Sequence, residues 1–470
     1  MRMGLNELDS EGSKKPKEAD ASMMRAFLAH TKCPPSSVDR FTPRATSGPA
    51  GFFEFAGLRL YGRVSGGSVS PRWSEAPPNI DSDVSMTSTS VTLPFNPSEI
   101  IDGLRLEKYV TAVNSQPSYI SSGTSMSRRL YYALRPLLPV AVRRILQRVV
   151  LQDWATIPFP TWPVDTTVED LINRLWVLAL KASGEECLPF IWYWPKGFDA
   201  CAIMTHDVET AAGQELCYKI LELEREHGIR SSFELVPEVR YKVSNSVVNA
   251  IRDAGCEICI HGLNHDGRLF SSEQEFRTRA RKINQYADKL GANGFRSPVM
   301  YRNPSWYDAF QFSYDMSVPN VAHLDPQRGG CCTVFPFFIG DIVELPLTTS
   351  QDYTIYNILG TNALELWRQQ MDTIVEKHGL VSFLVHPDYT VGRERQAQYG
   401  ELLGLIKRFS AQRKLWMALP GDVDRWWRQR DNMMLSRIGG KWTIQGDSSD
   451  RAVIAYARME NGTVRFVRDC

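Results

Sequence analysis

Between about Phe190 and Trp427, short apolar runs alternate with amphipathic stretches of roughly a dozen residues. This alternation constrains the fold more than any single motif does. The apolar runs predict strands over Ala200–Thr205, Ser232–Val236, Glu257–His261, Gly294–Arg296, Ile342–Leu347, Val381–His386 and Leu415–Ala418. The stretches between them predict helices such as Ala212–His227, Ser246–Ala254, Glu273–Leu290 and Ala363–His378. Strands and helices in alternation argue for βαβ units and a parallel sheet, open or closed into a barrel. Three polar segments fall at C-terminal strand ends: Thr205-His-Asp207-Val-Glu209, His261-Gly-Leu-Asn-His265 and His386-Pro-Asp388. That is the edge at which (β/α) barrels carry their chemistry.

His261 and His265 stand four apart, just past a strand end, where Gly262 begins a turn. A helical curl there lets both imidazoles reach one metal ion. Asp207 and Glu209 are two apart on a strand end, so they point to the same side and can share a site. Two imidazoles and a carboxylate make a catalytic zinc set with one position open for water. Such a metal lowers the pKa of its water and polarises a carbonyl. A second carboxylate can take the water's proton, and a separate histidine, His386, can protonate a leaving amine. These parts suit hydrolysis of an amide or ester. Phosphoryl transfer is less well served, since the sequence has no Gly-rich phosphate loop.

In these residues the chain resembles the polysaccharide deacetylases of the NodB-homology type, over roughly Trp194 to Trp427. Five motifs occur in the family's order. They are Thr205-His-Asp207-Val-Glu209, His261-x-x-x-His265, Arg296-Ser-Pro298, Tyr314-Asp315-Met-Ser317 and Leu384-Val-His386. The resemblance implies a distorted seven-stranded (β/α) barrel, with Asp207 as general base, Arg296 orienting it and His386 as acid. It implies Glu209, His261 and His265 as ligands to a divalent metal, zinc first, and Asp315 and Pro298 on the substrate side. It departs from the family at Val208, where a second Asp is usual and a Glu follows one place later. Glu is one methylene longer than Asp, so Asp207 and Glu209 could exchange roles.

The implied reaction is removal of an N-acetyl group from a glycan or a lipid-linked sugar precursor. Two rivals are an amide or imide hydrolase acting on a non-sugar substrate, and a non-catalytic glycan-binding or assembly protein. Charge excludes one class: 54 basic against 53 acidic residues give +1, so no bulk field draws the chain to nucleic acid.

The 470 residues leave room for more than one unit. Residues 1–50 read as disordered, 51–185 as an N-terminal strand and helix region, 186–430 as the barrel, and 431–470 as a small β appendage. Asn96 followed by Pro97 reads as a helix cap and first turn. Arg128–Gln152 is a basic amphipathic candidate, packed on a neighbouring domain or lying peripherally on an anionic membrane. The nine cysteines are scattered and odd in number, which argues against a disulfide framework. With no apolar leader near Met1, this points to a reducing, cytoplasmic setting, and hence to a precursor as substrate. Oligomeric state is not legible.

Overall fold

The fold was read from a computed structural model of the chain, which describes residues 23–44, 46–87, 90–113, 151, 153–360 and 362–470. Its centre is a nine-stranded sheet. The strands are β1 (Ala200–Val208), β2 (Ser232–Leu235), β3 (Glu257–His261), β4 (Gly294–Arg296), β5 (Tyr314–Asp315), β6 (Phe337–Ile339), β7 (Ile342–Glu344), β8 (Leu380–Leu384) and β9 (Leu415–Met417). Their spatial order is β6-β7-β5-β4-β3-β2-β1-β8, with β9 pairing onto the start of β1. All neighbours run parallel except β6 against β7. The sheet curls until its far sides meet. The Thr349 amide donates to Ser382 O at 3.3 Å, and Thr348 Oγ1 donates to Leu380 O at 2.7 Å. All seven expected strands are present. β5 and β6 were not foreseen, being two and three residues long and too short to show a period.

The helices begin and end where local chemistry requires. α1 (Ala211–His227) starts at Thr210, whose hydroxyl accepts from Gly213 N–H, and stops at Gly228 in the left-handed region. α2 spans Asn245–Asp253. α3 (Glu273–Leu290) is capped by Ser272 and ends at Gly291. α4 (Ala363–Glu376) is capped by Asn362. α5 (Gly392–Arg413) and α6 (Pro420–Asn432) complete the set. Gly421 N–H, in the first turn of α6, donates to Glu257 below the barrel, and Tyr314 donates to the same carboxylate at 3.0 Å. Gly294 makes room for that tyrosine: a Cβ there would lie 2.2 Å from its ring.

Four expectations change. The disordered stretch does not extend to residue 50. Arg25–Thr31 is a helix, Phe41–Pro43 a strand, and Phe27 and Phe41 are buried; residues 1–22 lie outside the described set. The N-terminal region is not a separate unit. Phe27 packs edge-on against Trp176 at 5.0 Å, within an apolar core continuous with the barrel's. The Arg430 guanidinium fastens the join, donating to Ile191 O at 2.7 Å, His30 O at 2.9 Å and Trp192 O at 3.0 Å. The C-terminal strands Ile454–Glu460 and Thr463–Val467 form a hairpin within the expected β appendage, but the first also pairs with Cys187–Ile191, so the appendage is bound to the chain before the barrel. Finally, Cys187 and Cys470 are disulfide-bonded and the other seven cysteines are free. Cysteine usage therefore no longer argues for a reducing setting.

Asn96 caps the helix Pro97–Arg105, accepting from Glu99 N–H, with Pro97 in the first turn as read from sequence. Arg128–Gln152 lies almost wholly outside the described residues. Among the described residues, no helix is long and apolar enough to cross a membrane.

Candidate metal centre

Strand register places the polar residues. Asp207 is the Cα partner of Glu234, and His261 of Arg296, on neighbouring parallel strands. Such partners project to one face, and alternation carries that face from Asp207 on β1 to Arg296 on β4. Past β3 the chain turns at Gly262, with φ +65°, to bring His265 back over His261, their ring centroids 5.0 Å apart. A Cβ at position 262 would lie 2.5 Å from Pro298 Cγ, so the turn requires glycine twice over. Pro298 also lines a small cavity beside His265.

Glu209, His261 and His265 each offer a ligand atom within 4.8 Å of the others. Glu209 Oε1 lies 2.9 Å from His265 Nε2. Yet both ring nitrogens of His265, and Nε2 of His261, are buried without a hydrogen-bond partner. Buried polar atoms nearly always have one. Four-coordinate zinc, with bonds of about 2.0–2.2 Å, would put its ligand atoms roughly 3–4 Å apart and use one lone pair from each imidazole. The residues therefore fit a cation. His261 Nδ1 donates to the Arg296 carbonyl at 3.2 Å, which leaves the lone pair on Nε2. Burial, and then the neighbouring His265, pull the His261 pKa well below the usual imidazole range. Burial pushes the Glu209 carboxyl up, but His265, His386 and His261 together hold it well below the usual range.

Asp207 stands one step from this trio. Its Oδ2 is 3.6 Å from His261 Nε2, and its Oδ1 receives Arg296 Nη1 at 3.1 Å. The same guanidinium reaches Thr205 Oγ1 at 2.7 Å and Met316 O at 3.0 Å, and lies 3.7 Å from Glu234. Burial works against the Arg296 charge, but Asp207 and Glu234 more than restore it. His386 Nε2 is 3.9 Å from both Asp207 and Glu209. Its Nδ1 is 2.6 Å from Asp352 Oδ1, and its backbone amide donates to Asp352 Oδ2 at 2.9 Å. Burial disfavours the imidazolium, but the Asp352 charge and hydrogen bond, with Glu209 and Asp207 behind them, push His386 up to about 10.

The structure thus gathers Asp207, Glu209, His261, His265, Arg296 and His386, with Pro298 alongside. Asp315 is a correction. The register puts Tyr314 on the Gly294 face and Asp315 on the Phe295 face. There Asp315 accepts from Ser317 at 2.6 Å and sits beside Glu344, not at the metal trio. Two residues, Glu234 and Asp352, were missed by sequence reasoning, and a third, Asp388, was read only as part of a strand-end segment with no role. Glu234, an acid inside an apolar strand, receives the His206 amide at 2.8 Å. Asp388 accepts from Glu209 N–H at 3.0 Å and fixes the end of β1. Asp352 lies in a segment with no motif of its own, so its signal exists only in three dimensions. His206 turns away from the site, to Val385 O at 2.7 Å and Glu224 at 2.9 Å. Cys331 and Cys332 are buried among backbone carbonyls and Tyr109, outside the trio.

No protein-family model and no curated protein matches the chain. Solved structures do resemble it over about half its length. One is described as a polysaccharide deacetylase from Mycobacterium smegmatis: 18% identity, TM-score 0.41, covering 51% of this chain and 93% of that one. A Puue allantoinase shows 14% identity and TM-score 0.40, covering 50% and 92%. A family 4 carbohydrate esterase from Streptomyces lividans, in complex with acetate, shows 14% identity and TM-score 0.31, covering 47% and 93%. At identities and scores this low, nothing about this chain's activity follows from the likeness.

Proposed function

We propose that the chain is a metal-dependent hydrolase that removes an N-acetyl group from a glycan or a lipid-linked sugar precursor. One observation carries the reading. One unpartnered, buried nitrogen from each of His261 and His265 converges with the Glu209 carboxylate between an arginine-held carboxylate and an aspartate-held histidine. Glu209, His261 and His265 would hold a divalent ion, zinc first among candidates. When bound, the ion supplies Lewis acidity and a water acidified toward about pKa 7.

The chain's own residues do the rest. Arg296 binds Asp207 Oδ1 and so leaves Oδ2, the oxygen facing His261, to accept a proton. Asp352 holds His386 by Nδ1, so the imidazolium presents its Nε2–H to the same space and can deliver a proton to the departing amine. Base and acid therefore face one space, with Asp207 Oδ2 and His386 Nε2 3.9 Å apart. Preference for an N-acetylated sugar over another amide rests on the five motifs in order.

The test is acetate release from N-acetylhexosamine oligomers and lipid-linked N-acetyl sugars by purified, zinc-loaded protein. Release that a chelator stops and added zinc restores supports the proposal. No acetate from any N-acetylated saccharide, with hydrolysis of non-sugar amides or imides instead, reassigns the substrate. Glycan binding without turnover, unchanged by Asp207→Asn, would mark a binding protein.

A further inference from the structure

A cavity of about 560 Å³ lies between the N-terminal helices and the β6 edge of the barrel sheet, and it shares no lining residue with the metal trio. Its volume falls within the usual range for small-molecule sites. Its charge is unbalanced. Of the lining acids, Asp102 is held by Arg25, and Asp431 by Lys32 at 3.4 Å. Arg105 and Lys108 also line the cavity, and among the described residues neither has an ion-pair partner.

Arg105 is the stronger observation. It is 8% exposed, and its Nε is buried without a hydrogen-bond partner. Its Nη2 lies 3.5 Å from His30 Nδ1. Burial, and then Arg105 itself, hold His30 well below the usual imidazole range, so His30 is neutral and balances no charge. The acid that acts most on Arg105, Asp102, is shared with Arg25, and the next, Glu169, is bonded to Thr333 and pushed up to about 8 by burial. A guanidinium taken out of water with only a shared counter-charge is costly, and an anion relieves that cost. Beside it the wall is aromatic. Phe337 lies 5.5 Å beneath the guanidinium, Trp427 lines the same space, and Phe338 is 36% exposed.

The geometry points to a binding site for an amphiphilic organic anion. A carboxylate or phosphate head meets Arg105 and Lys108, and an apolar body lies against Phe337, Phe338 and Trp427. Planar two-pronged donation from Arg suits either head group.

Calorimetric titration of the full chain with decanoate, decyl phosphate, decanol and inorganic phosphate tests this, and the signal does not depend on catalysis. At least one of the two anionic amphiphiles should bind roughly tenfold or more tightly than decanol, and more tightly than inorganic phosphate. The tighter of the two identifies the natural head group. Arg105→Gln should weaken that binding roughly tenfold or more. Lys108→Ala, at an exposed position, should weaken it less, and chiefly at low salt. Decanol binding as well as the anions, or a folded Arg105→Gln protein binding as wild type does, would overturn the site. Should Arg105→Gln not fold, the decanol comparison and Lys108→Ala decide: anions no tighter than decanol, with Lys108→Ala unchanged at low salt, overturn it.

Discussion

Glu169 offers a quantitative test of how the N-terminal helix packs on the barrel. It lies in the first turn of the helix Thr167–Ser183, 4% exposed, with Oε1 receiving the Thr333 hydroxyl and Oε2 unpartnered. Burial raises its carboxyl from 4.5 to about 8. The folded state therefore binds the proton more tightly than the unfolded chain. Its contribution to stability is complete below about pH 4.5 and declines as pH rises toward 8. The shift of about 3.5 units, at 1.36 kcal/mol per unit, amounts to roughly 5 kcal/mol over that window. About 4 kcal/mol of it falls between pH 5 and pH 9. Other groups titrate there too, so the comparison is with Glu169→Gln, whose amide keeps an acceptor for Thr333 and cannot ionise. Urea unfolding of both proteins at unit pH steps should show wild type losing roughly 3–4 kcal/mol more than the variant on going from pH 5 to pH 9. Parallel curves, within about 0.5 kcal/mol, would refute the claim that this carboxyl is buried and protonated.

Gly262→Ala must accept a strained φ and a clash with Pro298, and should cost roughly 1–3 kcal/mol in chemical denaturation. It should also weaken metal retention, because that turn sets the spacing of His261 and His265. Chelation should lower the unfolding free energy of the loaded protein, by about 2.7 kcal/mol where free metal stood at 100 times Kd. His261→Ala should abolish the response, as read by denaturation with and without zinc. Asp352→Asn removes the charge that holds His386 protonated. Turnover of an amide substrate should fall roughly 10²–10⁴-fold, with metal content by elemental analysis unchanged; lost metal would instead show that Asp352 supports the ligands.

Much of this was legible in one dimension because strand ends concentrate the chemistry. Period and punctuation located β1 to β4, and the spacings within Asp207-Val-Glu209 and His261-x₃-His265 placed four residues of the site. His386 followed from its place at a strand end, and Arg296 from motif order. What escaped depended on register or on distant packing. Asp315 was misplaced because β5 is two residues long and gives no alternation from which to read its face. Asp352 reaches His386 across 34 residues, and nothing local in Ser350-Gln-Asp352 announces it. The N-terminal region looked like loop and disorder because its few apolar residues, such as Phe27, are buried by Trp176 and the barrel rather than by one another. The Cys187–Cys470 pairing spans 283 residues and has no spacing signature.

The central claim is that Glu209, His261 and His265 grip one divalent ion. Anomalous diffraction at the zinc absorption edge, on crystals of zinc-loaded protein, tests it most directly. A single strong peak within about 2.0–2.2 Å of His261 Nε2, a His265 ring nitrogen and a Glu209 carboxylate oxygen is the predicted result. A peak held by other residues, or none at this trio in fully loaded protein, would contradict it.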